Sequence, residues 1–106
     1  MIGHDRIVEL AEMIAREFHP RRIILFGSST QGKETEDSDI DLLVIMPTGG
    51  SGLRKAAEIM NKISPRVPVD LIVRDPEDVE RRLEANDFFL REVIERGKVL
   101  YESTDN

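Results

Sequence analysis

Residues 22–46 read RIILFGSSTQGKETEDSDIDLLVIM, two apolar runs separated by a small, polar and acidic segment. The first run, 22–26, is closed by Gly27 and predicts a short buried strand. The second run, 39–46, predicts another strand, which is ended by Pro47. Residues 28–38 are typical of a loop. The centre of the chain is therefore predicted to hold two strands joined by one loop.

Helical and extended patterns alternate on both sides of this stretch. Apolar residues at steps of three and four predict amphipathic helices, and the glycines and prolines mark where elements end. The predicted elements are a helix from about residue 4 to the residue before Pro20, a helix over 53–63, a strand over 67–73, a helix from Asp75 and Pro76, a helix over 87–96 ended by Gly97, and a strand over 98–101. This order predicts an α/β (α+β) protein, a small sheet flanked by helices.

Length and composition limit the class of protein. A chain of 106 residues is near the commonest size of one compact domain, so a single domain over 1–106 is expected. The formal charge of −6 disfavours direct binding to nucleic acid, which depends on Lys and Arg. The absence of cysteine excludes disulfides and thiolate metal sites. No apolar run is long enough to span a membrane and no secretory signal opens the chain, so a soluble, cytoplasmic protein is expected.

Three aspartates interrupt apolar strands. Asp39 and Asp41 are two residues apart in the predicted strand, so both side chains point to one face. Two adjacent carboxylates repel each other, and a divalent cation such as Mg²⁺ would offset that repulsion. Asp70 also stands in an apolar strand, where burial is expected and a partner is needed. If the two strands are neighbours, the three acids form a site for two metal ions; the alternative is that Asp39 and Asp41 lie at a solvated strand end.

Two further acids have simpler explanations. Asp75 precedes Pro76 and is assigned to the N-cap of a helix. Asp37 stands in an acidic, loop-like setting and is expected to be solvated. Gly27 and Ser28 follow the first strand directly, and a small pair of this kind allows a phosphate to approach backbone and hydroxyl donors. Taken alone, a Gly-Ser pair favours an ordinary turn.

The spacing of these features resembles a known family. Gly27-Ser28, ten intervening residues and then Asp39-Ile40-Asp41-Leu42-Leu43-Val44 are similar to the signature of the minimal nucleotidyltransferase branch of the polymerase-beta-like nucleotidyltransferase superfamily. The resemblance covers nearly the whole chain, including the strand that carries Asp70 and the closing Gly97-Lys98-Val99-Leu100-Tyr101. It implies the nucleotidyltransferase fold with a mixed sheet.

The resemblance also implies a reaction. An acceptor hydroxyl would attack the α-phosphate of ATP or another nucleoside triphosphate and release pyrophosphate. Asp39, Asp41 and Asp70 would be the catalytic residues and would hold two Mg²⁺ ions, while Gly27 and Ser28 would bind the outgoing phosphates. This chain departs from many members, which carry basic residues after the serine, because residues 29–31 are Ser, Thr and Gln. Lys33 is the nearest lysine that could replace them.

The acceptor is the open part of the prediction. Minimal members of the family often act as antitoxins beside a HEPN-domain toxin and attach AMP to one of its tyrosines, so a HEPN-domain partner is expected from the resemblance. The alternatives are a small hydroxyl compound, as in the aminoglycoside nucleotidyltransferases, and a partner-binding module without catalysis. The apolar residues of the predicted last helix, from Phe88 to Ile94, are expected to pack into the core, and any exposed part would suit a partner.

Overall fold

A computed structural model of the chain describes residues 4–27 and 40–104. Its helices are α1 (His4–Phe18), α2 (Gly52–Ile63), α3 (Pro76–Glu84) and α4 (Phe88–Arg96), and its strands are β1 (Arg22–Phe26), β2 (Ile40–Ile45), β3 (Val69–Arg74) and β4 (Lys98–Glu102). The strands form one sheet in the order β3-β2-β1-β4. The β2–β3 pair is parallel, and the β1–β2 and β1–β4 pairs are antiparallel. The mixed sheet with flanking helices confirms the predicted fold class.

Alternation along the strands gives the sheet two apolar faces. One face packs against α1 and α2 and buries side chains such as Leu25, Leu42 and Val44. The other packs against α3 and α4 and buries Ile24 and Leu43 among others. β1 and β2 therefore bury apolar side chains on both faces of the sheet, as their continuous apolar runs predicted. The sheet forms the middle layer between two pairs of helices.

The helix ends follow local signals, with one difference at Gly97. The side chain of Ser51 accepts a hydrogen bond from the Arg54 N–H at the start of α2, and Asp87 does the same for Leu90 at the start of α4. Gly97 ends α4 as predicted, but its φ of −74° is ordinary for any residue. A Cβ there would instead collide with the Val93 carbonyl and approach Ile24 Cγ2 to 2.6 Å. Close packing, and not a left-handed backbone, accounts for the glycine.

The start of α3 corrects the assignment of Asp75. The residue is at the N-cap position, but its side chain caps no helical N–H. Both carboxylate oxygens bind Thr48, Oδ1 accepting from the backbone N–H at 2.9 Å and Oδ2 from the hydroxyl at 2.7 Å. Thr48 is buried, and its hydroxyl needs a partner. These bonds, the one to the backbone N–H foremost, lower the pKa of Asp75 below its usual 3.8.

The helices in these two stretches are too short or too polar to cross a membrane.

Candidate active site

The parallel pairing of β2 and β3 brings two of the predicted site residues together. Asp41 and Asp70 are Cα partners in the register, and neighbouring strands lie about 4.8 Å apart. Their positions alternate with Leu42 and Leu71, which belong to the α1/α2 face. Both carboxylates therefore belong to the opposite face, where α3 and α4 pack. The neighbour relation that the three-acid hypothesis required is present in the sheet.

Gly27 closes the site from the side of β1. Phe26 is the register partner of Asp41, so the next residue, Gly27, lies beside the Asp41 carboxylate. Its φ is +82°, and a Cβ there would collide with Asp41 Oδ2 and lie 3.3 Å from Cγ. The glycine thus satisfies both a left-handed backbone and a contact with the predicted metal ligand. Gly27 was predicted from the sequence to let a phosphate come close to the backbone, and its contact with Asp41 was not predicted.

Several predicted features lie outside the described residues. They are Asp39, Ser28, Asp37, Lys33 and the rest of the predicted loop over 28–38. Within 4–27 and 40–104, no group of three histidines or acids stands at metal-binding distance. The described part of the chain accordingly places Asp41, Asp70 and Gly27 together.

Asp70 is exposed, which corrects the expectation that its apolar surroundings bury it. β3 is an edge strand of the sheet, and Asp70 is its second residue. Val73, near the other end of the same strand, is buried. Burial on β3 therefore increases along the strand, and the carboxylate of Asp70 has access to solvent and to a ligand. Asp41, on an interior strand, is half-buried.

Asp75 lies at the opposite end of the sheet from this pair. It follows the last residue of β3, and the five residues from Asp70 span about 16 Å of extended strand. Its carboxylate is fully engaged by Thr48. Asp75 is therefore distant from the predicted metal site, as expected, but its carboxylate binds Thr48 and does not cap α3.

A cleft of about 260 Å³ opens between the end of β1 and one face of α4. We call it the α4 cleft, and it is lined by Phe26, Gly27, Phe89, Glu92, Val93, Arg96 and Gly97. The rings of Phe26 and Phe89 meet edge to face, with centroids 5.5 Å apart and an interplanar angle of 85°. The cleft thus shares Gly27 with the carboxylate site.

The polar residues of this cleft were not found by sequence reasoning. Glu92 and Arg96 are one helical turn apart, a spacing that also occurs on most solvated helices. The prediction that the apolar residues of α4 pack in the core is confirmed for Leu90 and Val93. It is wrong for Phe88, which is 80% exposed, and for Phe89, which is 43% exposed. Phe88 is the first residue of α4, ahead of the turn that faces the sheet.

The chain is similar to known proteins in sequence and in fold. A family model described as "Polymerase beta, Nucleotidyltransferase" matches residues 9–106. A protein of Methanocaldococcus jannaschii named as a protein adenylyltransferase is 35% identical over 83 residues, which cover 76% of this chain and 78% of that protein.

Two solved structures share the fold. One, from Sulfolobus solfataricus and described as a nucleotidyltransferase, has a TM-score of 0.64 and 20% identity, covering 96% of this chain and 82% of that chain. The other, a toxin–antitoxin structure with AMP-PNP, has a TM-score of 0.53 and 23% identity, covering 97% of this chain and 76% of that chain. At these identities the two structures establish a likeness of fold alone, and it is the fold that the sequence resemblance implied.

Proposed function

The chain belongs to the Polymerase beta, Nucleotidyltransferase family and is a nucleotidyltransferase, and on that premise we propose that it moves AMP from ATP to a hydroxyl group with Mg²⁺ held by Asp39, Asp41 and Asp70. The observation that carries the proposal is the register of Asp41 with Asp70, on one face and beside Gly27. Asp39 is included in the proposal because of its spacing in the sequence from Gly27-Ser28 and from Asp41.

The donor set fits a hard divalent cation. Asp41 and Asp70 offer carboxylate oxygens from adjacent strands, and like charges in register destabilise a sheet unless something offsets them. Oxygen donors of this kind suit Mg²⁺, which is usually held by one or two carboxylates together with substrate phosphates. Bound there, Mg²⁺ would supply neutralisation of phosphate charge and a lowered pKa for the acceptor hydroxyl.

The residues of the chain have separate tasks in the proposed transfer. The acceptor oxygen forms a bond to the α-phosphorus while the bond from that phosphorus to the bridging oxygen of the β-phosphate breaks, and pyrophosphate leaves. Asp70, exposed at the edge of the sheet, takes the proton of the acceptor hydroxyl. Gly27 and Ser28 hold the departing phosphates. Positioning by the paired strands supplies most of the rate enhancement, as in other phosphoryl transfers.

We further propose that the acceptor is a tyrosine of a HEPN-domain toxin, which makes this chain an antitoxin. The HEPN domain and the tyrosine are what the sequence resemblance implies. Three observations support a protein acceptor: the 35% identical relative is named as a protein adenylyltransferase, a structure of like fold is a toxin–antitoxin structure with AMP-PNP, and Phe88 is 80% exposed at the start of α4. Aromatic residues are enriched at surfaces that contact other proteins. Phe88 adjoins Phe89, which lines the α4 cleft, so a partner bound there would reach the site.

Replacement of the acids tests the transfer. The protein and its co-purified partner are incubated with ATP labelled at the α-phosphate and, in parallel, at the γ-phosphate, with Mg²⁺ or with EDTA. Label should enter the partner only from α-labelled ATP and only with Mg²⁺. Asp41→Asn and Asp70→Asn should each lower the rate roughly a hundredfold or more, because each removes a ligand of the cation.

Asp5→Asn is the matched control. Asp5 is an exposed acid in the first turn of α1, on a helix that packs against the other face of the sheet, so the same chemical change there should leave the rate unaltered. Transfer that survives Asp41→Asn would rule out the assignment of the acids. Partner binding without any transfer by the unmodified chain would favour the non-catalytic binding module.

A further inference from the structure

The α4 cleft lies on the same face of the sheet as the paired carboxylates and at the same end of the strands. Asp70, Asp41 and Phe26 are successive register partners across β3, β2 and β1, and residues that pair in register direct their side chains to one face. The row of two acids therefore ends at an aromatic wall of the cleft. A ligand with a phosphate at Asp41 can extend its remaining part into this space.

The shape of the cleft suits a planar ring. Phe26 and Phe89 form its wall in an edge-to-face pair, and Phe89 is 43% exposed, which leaves aromatic surface for a ligand. Bases stack on such side chains because every base has a π-face. A volume of about 260 Å³ is just below the roughly 300 Å³ at which pockets for drug-sized ligands begin. The cleft therefore fits one ring system and not a whole nucleotide.

The polar side chains of the cleft offer one acceptor and one donor. Glu92 and Arg96 occupy the favourable i, i+4 order for an ion pair, yet neither forms a salt bridge with any residue in 4–27 or 40–104. Their helix neighbours Arg91 and Glu95 approach each other to 3.7 Å. A carboxylate accepts from an exocyclic amine, and a guanidinium donates to a ring nitrogen. Adenine carries an amine next to a ring nitrogen and so matches this pair. The opposite charges of Glu92 and Arg96 cancel, so the pair adds no net charge beside a triphosphate.

We propose that the α4 cleft binds the base of the nucleotide, with Phe26 and Phe89 against the ring and Glu92 accepting a hydrogen bond from the 6-amino group of adenine. This inference rests on the proposed transfer from ATP. It makes Glu92 the residue that selects the base, because a 6-keto purine presents a carbonyl oxygen to the carboxylate. Two acceptors that face each other disfavour binding.

The test compares ATP with inosine triphosphate, which has the 6-keto group, by calorimetric titration into the full chain with Mg²⁺. The unmodified protein should bind ATP at least about tenfold more tightly than inosine triphosphate. Glu92→Gln should bind the two equally, because an amide can face either group. Glu95→Gln, one turn away and outside the lining of this cleft, should keep the preference. Phe89→Ala should weaken both by roughly tenfold.

The outcomes separate the two proposals. Equal affinity of the unmodified protein for ATP and inosine triphosphate, or a preference that persists in Glu92→Gln, would overturn the assignment of the cleft and leave the transfer from ATP standing. Failure of the folded, unmodified chain to bind either nucleotide with Mg²⁺ would overturn the proposed transfer and this inference together.

Discussion

Replacing Gly27 by Ala examines its contact with Asp41, the glycine being proposed to bind phosphate and the aspartate to bind the cation. Its φ of +82° gives the substitution a backbone strain of roughly 1–2 kcal/mol. The new Cβ would also collide with Asp41 Oδ2. Because that atom is the far end of a side chain, rotation of the carboxylate can relieve the collision. The carboxylate would then leave the position proposed to hold the cation.

Gly49 provides the matched control. Its φ is +74°, and nothing lies within 4 Å of an added Cβ. Gly49→Ala therefore carries the same backbone strain without the collision, and urea titration should give both variants a similar loss of unfolding free energy. Only Gly27→Ala should lose transfer, by about a hundredfold, since a misplacement on the order of 1 Å has that effect.

The assay is the initial rate of AMP transfer from α-labelled ATP to the co-purified partner, measured over a range of Mg²⁺ concentrations. Displacement of Asp41 should raise the Mg²⁺ concentration that gives half the maximal rate, whereas loss of phosphate contacts alone would leave it unchanged. Equal rates for Gly27→Ala and Gly49→Ala would refute the reasoning that links the glycine to Asp41.

Three further predictions concern other parts of the fold. Asp75→Asn should lower the free energy of unfolding at neutral pH, because the bonds to Thr48 lower the pKa of Asp75 in the folded protein. The loss of unfolding free energy should be complete above pH 3.8 and should vanish as the pH falls through the folded pKa, which urea titrations at several pH values measure. Phe88→Ser should leave the melting temperature unchanged but abolish co-purification of the partner, while Leu53→Ala, which is 88% exposed on α2, should retain it. Gly97→Ala should lower the free energy of unfolding by about 1–3 kcal/mol through steric overlap, and a wild-type urea midpoint would contradict the packing argument.

Patterns that depend on neighbours along the chain were predicted well. The apolar run ended by Gly27 gave the bounds of β1, and Pro76 marked the first residue of α3. Buried strands and helix starts are set by a few adjacent residues, so sequence alone specifies them. The spaced Gly-Ser and Asp-x-Asp motif gave the family because residue types and their spacing are visible in the sequence itself.

Features that depend on distant residues were predicted less well. Asp70 is exposed because β3 is an edge strand, and sheet order is a property of the whole chain. The carboxylate of Asp75 binds Thr48, which lies 27 positions earlier. Glu92 gave no signal because the neighbours of α4 are unknown until the helix is docked on the sheet. In each case the missing information was a contact across the fold.

The topology explains why Asp41 and Asp70 come together at one end of the sheet. Ligands of parallel sheets usually bind beyond the carboxyl ends of the strands, but Asp41 and Asp70 are near the amino ends of β2 and β3. The carboxyl end of β1, with Gly27, lies at the same end of the sheet because β1 runs antiparallel to β2. The acids therefore stand within the ladder and not on loops, which gives them the precise placement that a metal site requires. The connections at the opposite end of the sheet, where Thr48 is hydrogen-bonded to Asp75, lie away from these acids.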